Sequence, residues 1–215
     1  LMKMKTLNEI IEGKGIAIIR GYRTEDAVKI ARALKKGGVT LLEVTLNSPD
    51  ALRTIRELSN ESGMTVGAGT VLDGAAAQGA IEAGAKFILS PTLKVETIRT
   101  AKRYGVVSIP GAYTPSEILT AFEEGADIVK VFPATALGPS FIKDMQGPLP
   151  QVRLLPTGGV TVENAATFLE AGAIGVGLGS SLVHKTECVD EAFLDEIEMK
   201  AKRFRELAMM RGVRT

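Results

Sequence analysis

A short apolar run bounded by small turn residues recurs eight times along the chain. The runs are GIAIIR (15–20), VTLLEVTL (39–46), MTVGAG (64–69), AKFILSP (85–91), GVVSIPG (105–111), ADIVKVFP (126–133), VRLLPTGG (152–159) and AIGVGLGS (173–180). The beat, about 20 to 25 residues, is the length of one strand, one helix and two turns. The runs are apolar on both faces, as strands of a parallel sheet covered on both sides must be.

The intervals have helical patterning. TEDAVKIARALKKGG offers Thr24 as N-cap and acidic residues in its first turn. Ala27, Val28, Ile30, Ala31 and Leu34 then follow helical spacing, and Gly37 closes the segment. SPDALRTIREL, VETIRTAKRYG, TPSEILTAFEEG and TVENAATFLEAG share this form, MKTLNEIIEG predicts an extra N-terminal helix, and 189–211 predicts a charged, amphipathic last one. Eight strand–helix units predict an α/β protein with one domain over 1–215: a single (β/α)8 TIM barrel with an extra N-terminal helix. At 215 residues the chain is near the lower size of that fold, so insertions must be few.

Charge and composition exclude several classes. The net charge is +1 with no basic block, so nucleic acid is not an expected partner. No apolar run approaches the roughly 18 residues that would span a bilayer, so no membrane is expected either. The N-terminal LMKMKTLNEI lacks the apolar core of a secretory signal, and Leu1 ahead of Met2 is left out of the argument. The single cysteine, Cys188, permits no internal disulfide and fits a reducing cytoplasm. No His/Cys/Asp/Glu cluster has metal-ligand spacing, and no GxGxxG follows the first run, so neither a metal nor a dinucleotide is expected. His184, the lone histidine, is expected at the surface, and Cys188 is expected to be inert.

In such a fold the chemistry lies at the C-terminal ends of the strands. Those ends carry Arg20, Glu43 with Thr45 and Asn47, Thr70, Ser90-Pro91, Pro110-Gly111, Lys130 with Phe132, Thr157-Gly158-Gly159, and Gly179-Ser180-Ser181. Two of these residues are unusual. Lys130 sits between Ile128-Val129 and Val131-Phe132, and Glu43 is the only charged group in TLLEVTL. Alternation puts Lys130 on one face with Ile128 and Phe132, Glu43 with Leu41 and Thr45, and Arg20 with Ile18 and Ile16. Val129, Val131, Leu42, Val44 and Leu46 then face the helices. Burial disfavours a charged amine, and a neutral amine is a nucleophile that forms a Schiff base with a carbonyl. A buried carboxyl beside it could carry protons. A structural Lys130–Glu43 ion pair accounts for these two residues equally well, and both accounts stay open here. The turns PTGGV and GLGSS follow the seventh and eighth runs, each expected to lead into a helix. Together they offer backbone N–H groups where this fold usually binds phosphate.

The motifs EVTL, GAGTVL, LSP, VKVFPA, PTGGV and GSSLV occur in one order over about residues 6 to 205. In that set the chain resembles the 2-keto-3-deoxy-6-phosphogluconate (KDPG) and 2-keto-4-hydroxyglutarate (KHG) aldolase family, whose members are class I aldolases. The resemblance implies Lys130 as the Schiff-base lysine and Glu43 as the acid/base acting through a water. Arg20 and Thr70 would hold the pyruvyl carboxylate and its surroundings, and Pro91 and Phe132 would shape the pocket. Gly158, Gly159 and Ser180 would bind phosphate through backbone N–H groups and a hydroxyl rather than a lysine. It also implies a 2-keto acid substrate, no cofactor, and a homotrimer. Many members carry arginine directly after EVTL; here Asn47 follows, which leaves Arg20 as the one cationic anchor. An isomerase or epimerase of the phosphate-binding type, or a non-catalytic sugar-phosphate binder, would share the glycine turns but need no Schiff base.

Overall fold

The computed structural model describes residues 1–210; position 211, the expected end of the last helix, lies outside them. The helices are α1 (Met2–Gly13), α2 (Thr24–Lys36), α3 (Ala51–Ser59), α4 (Gly74–Ala83), α5 (Val95–Arg103), α6 (Pro115–Glu123), α7 (Gly138–Met145), α8 (Ala165–Glu170) and α9 (Glu191–Met209). The strands are β1 (Gly15–Ile19), β2 (Leu41–Thr45), β3 (Thr65–Gly69), β4 (Phe87–Leu89), β5 (Val107–Ile109), β6 (Gly111–Ala112), β7 (Val129–Val131), β8 (Leu154–Pro156) and β9 (Val176–Leu178). Every strand falls on one of the eight apolar runs, and the fifth yields two, β6 reaching one residue past it. None of the described helices is long and apolar enough to cross a membrane.

The expected closed eight-stranded barrel is not what these strands form. All their pairings are parallel, but they make two sheets: a curled six-stranded one in the order β5-β4-β3-β2-β1-β9, and a three-stranded one in the order β6-β7-β8. The (β/α)8 expectation is therefore corrected, while the α/β class stands. Pro110 supplies the reason at one seam. It has no N–H to give a ladder, so the fifth run ends as β5 paired with β4 and restarts as β6 paired with β7. At the other seam β8 and β9 meet only through one isolated bridge, Thr157 to Gly177, within glycine-rich backbone.

The two-residue alternation does hold. Ile16, Leu41, Phe87, Leu89, Val107, Ile109, Ile128 and Leu155 form one buried cluster on the inner face of the strands, closed at one end by Leu7 and Ile10 of α1. Val129, Val131, Leu42 and Val44 belong to the second cluster, between strands and helices. Each such aliphatic side chain contributes about 1.5–3 kcal/mol on burial, so the alternation fixes which face each strand residue takes.

Local details differ from the sequence expectations. Thr24 is the first helical residue, not the cap, and its buried hydroxyl shares a 2.8 Å hydrogen bond with that of Thr54. The clearest cap is the Thr114–Glu117 box of α6, with Pro115 at the first turn. Helices α4 and α7 were absent from the expected set.

Candidate active site

Glu43, in β2, is 1% exposed, and neither of its carboxylate oxygens has a hydrogen-bond partner. The room it occupies comes from glycine. Glu43 pairs in register with Gly67, and a Cβ on Gly69, two pairs further along, would collide with its carboxylate. Gly67 likewise leaves space for the Phe87 ring. The GAG of the third run is thus a pair of inner-face vacancies, one filled by an aromatic ring and one by a carboxyl. Gly69→Ala is expected to push the carboxyl aside and to lower turnover by about 10²-fold, the scale of an ångström-sized misplacement. The check is kcat with a parallel thermal melt.

Lys130, in the middle of β7, is 4% exposed. Its backbone N–H donates to the Pro110 carbonyl at 2.8 Å, which fixes the strand beside the β5–β6 break. Its ammonium lies 4.8 Å from the centroid of the Phe132 ring, a cation–π distance. Among the described residues no ion pair joins Lys130 to Glu43, so the structural-pair account fails. Both residues lie on the inner face of the strands, Glu43 without a hydrogen-bond partner and Lys130 against the Phe132 ring.

Lys130 opens into a cavity of about 430 Å³. Arg20, Phe132, Gly158, Gly159 and Ser180 line it too, as do Ile18 and Thr157. Ile18 pairs in register with Glu43, which places the carboxyl at the same end of the sheet. Arg20 donates to Asn47 Oδ1 at 2.9 Å and to Thr70 Oγ1 at 3.2 Å. Asn47 therefore does not replace a cation but anchors one. Thr70 holds a left-handed backbone, φ 56°, unusual for a β-branched residue. Three residues of the expected set, Glu43, Thr70 and Pro91, do not line the cavity; Thr70 is tied to it through Arg20, and Pro91 lies furthest from the expected role. Its backbone instead abuts Gly111, the register partner of Lys130.

The two glycine turns both face the cavity, though neither runs straight into a helix: four residues separate Val160 from α8, and α9 starts only at Glu191. Gly158 and Gly159 have φ of +90° and +73°, a region that glycine enters freely. A Cβ on Gly159 would come within 2.6 Å of Thr135 Oγ1. Asn164 pins the turn, donating to the Gly159 carbonyl at 3.1 Å while its own carbonyl accepts from Thr161 N–H at 2.7 Å.

Several cavity residues were given no role by the sequence. Thr157 is 4% exposed with an unpartnered hydroxyl, and only the absence of a side chain at Gly177 leaves it room. Lys185 and Gly21 complete one wall. The charged residues lining the cavity are Arg20, Lys130 and Lys185, all cationic. His184 is half-buried, its ring edge-on to Phe193 at 4.9 Å, and Cys188 is exposed.

A parallel α/β fold with a buried amine opening into a cation-lined cavity has the architecture of an α/β enzyme. Comparison with known proteins narrows the class. The family model for KDPG and KHG aldolase matches residues 7–199. The chain belongs to that family; it is an aldolase, a lyase. It is 36% identical over 178 residues to the 2-dehydro-3-deoxy-6-phosphogalactonate aldolase of Escherichia coli K12, covering 81% of this chain and 87% of that one. It is 39% identical over 160 residues to the 2-dehydro-3-deoxy-phosphogluconate aldolase of Pseudomonas aeruginosa, covering 74% and 73%. A solved structure of the Legionella pneumophila KDPG aldolase, with pyruvate captured as a covalent carbinolamine, superposes with a TM-score of 0.83 at 30% identity, covering 91% of this chain and 96% of that one.

Proposed function

We propose that this aldolase is of class I and cleaves a six-carbon 2-keto-3-deoxy-6-phospho sugar acid, the gluconate or the galactonate form, to pyruvate and glyceraldehyde 3-phosphate. KHG, cleaved to pyruvate and glyoxylate, is a second substrate of the same site. The observation that carries this is a buried lysine, Lys130, opening into a cation-lined cavity, with the buried carboxyl of Glu43, which has no hydrogen-bond partner, on the same inner face of the strands.

The Lys130 amine adds to the C2 ketone, and loss of water gives an iminium. Glu43 takes the proton of the C4 hydroxyl as the C3–C4 bond breaks, and the bonding electrons move into the iminium to give an enamine. The aldehyde leaves. Protonation of the enamine at C3 restores the iminium, and water releases pyruvate and the free lysine. Arg20, steadied by Asn47 and Thr70, meets the substrate carboxylate, and the two glycine turns with Ser180 meet the far end. Carbinolamine capture in the Legionella relative is the chemistry expected of such a lysine. The protein acts as a homotrimer; an apolar groove between α3 and α4, where Leu52 is 43% exposed, offers contact surface.

Borohydride reduction in the presence of pyruvate, followed by intact mass, tests the core of this reading. A single stable adduct on the folded protein is expected. A protein that takes up no pyruvate under reduction is not a class I aldolase.

A further inference from the structure

The sequence assigned the substrate's far end to backbone and a hydroxyl. The structure adds a cation to the same cavity. Lys185 follows the GSSLV turn, lines the same cavity, and takes part in no ion pair among the described residues. Its Nζ lies 3.9 Å from where a Cβ on Gly21 would stand, next in sequence to Arg20. Its backbone is held on both sides by one buried group. The Tyr22 hydroxyl donates to the His184 carbonyl at 2.6 Å and accepts from the Thr186 N–H at 2.9 Å. Tyr22 is 5% exposed, and its ring packs beside that of Phe193. Burial pushes the Tyr22 hydroxyl above its usual pKa, the Thr186 N–H opposing this in part, so the hydroxyl stays protonated and the clamp stays closed at neutral pH.

We propose that Lys185 is a specificity residue that meets the terminal phosphate of the substrate, and that Tyr22 is the positioning residue that holds it over the cavity. This rests on the aldolase reading above. The chemistry is that of a flexible point charge reaching an anion whose oxygens also face bare backbone N–H groups. An ammonium suits a dianionic phosphate here because nothing acidic lines the cavity to compete for it. Ser180 and the glycine turns supply direction; Lys185 supplies charge.

Gly159 is a poor place to test the far end, since any side chain there strains a φ of +73° and strikes Thr135. Lys185 is a better one, because its side chain is exposed. The experiment compares kcat/KM for KDPG and for the same keto acid lacking phosphate, in wild type, Lys185→Gln, Lys185→Arg and Tyr22→Phe. The preference for the phosphorylated substrate is expected to fall about 10-fold in Lys185→Gln, the scale of one charge-assisted contact, and through KM rather than kcat. Lys185→Arg should restore most of it, and Tyr22→Phe should lose part of it. A preference left intact in Lys185→Gln overturns the proposal. So does an equal loss on both substrates, which would mark a structural role. A wild type that traps pyruvate yet shows no preference for phosphate would instead remove the phosphate itself from the proposed function.

Discussion

Replacing Lys130 with alanine is expected to abolish both cleavage and borohydride trapping with pyruvate. The loss in kcat should be at least about 10³-fold, the scale on which enzymes lose rate when the covalent group is deleted. The fold should survive. Deleting one partner of a buried ion pair costs about 3–5 kcal/mol because it strands the other charge. Lys130 has no such partner among the described residues, and its end opens into the cavity, so its removal strands nothing. A thermal melt close to wild type, together with lost trapping, is the expected pair of results. Trapping at wild-type yield would move the nucleophile elsewhere, and Lys185, in the same cavity, would be the first residue to examine.

The parity of the strands was legible because burial on both faces leaves only one question, which side a charge takes. Two neighbours of the same parity answer it. Ile128 and Leu41 share the inner cluster on the face of Lys130 and Glu43, while Val129 and Val44 pack against helices. The closed ladder was not legible from apolar runs. Counting runs ignores backbone donors, and Pro110, plain in the sequence, divides one run between two sheets. Helix α4 escaped because GAAAQGAIEA has little contrast between its faces, although Asp73 caps it by accepting from Ala76 N–H at 2.7 Å. Helix α7 starts behind a Gly-Pro pair that suggests a turn.

The site divides along the same line. Residues within strands or directly after them, Lys130, Glu43, Arg20 and Thr70, could be found by their position in the beat. Lys185 could not, because it reaches the cavity only through a loop that Tyr22, more than 160 positions earlier in the chain, folds back. Asn47 changed meaning for the same reason. In sequence it was a missing cation; in space it is a ligand for the Arg20 guanidinium.

Glu43→Gln is expected to separate the two buried groups. The amide keeps the shape of the carboxyl in the space left by Gly69 but cannot accept a proton from the C4 hydroxyl. Loss of a positioned acid/base typically lowers rate by about 10² to 10⁴-fold, and kcat for cleavage should fall within that range. Schiff-base formation begins with Lys130 and pyruvate, so borohydride trapping should survive at least in part. Stability offers an independent check. A carboxyl that served only as scaffolding would have partners to lose, yet both Glu43 oxygens are buried without one, so the amide should melt no lower than wild type. Slow turnover, retained trapping and an undiminished Tm together would assign Glu43 to proton transfer. A folded Glu43→Gln protein with unchanged turnover would end that assignment, and would leave the carboxyl as a buried group whose cost the fold bears for no chemical return.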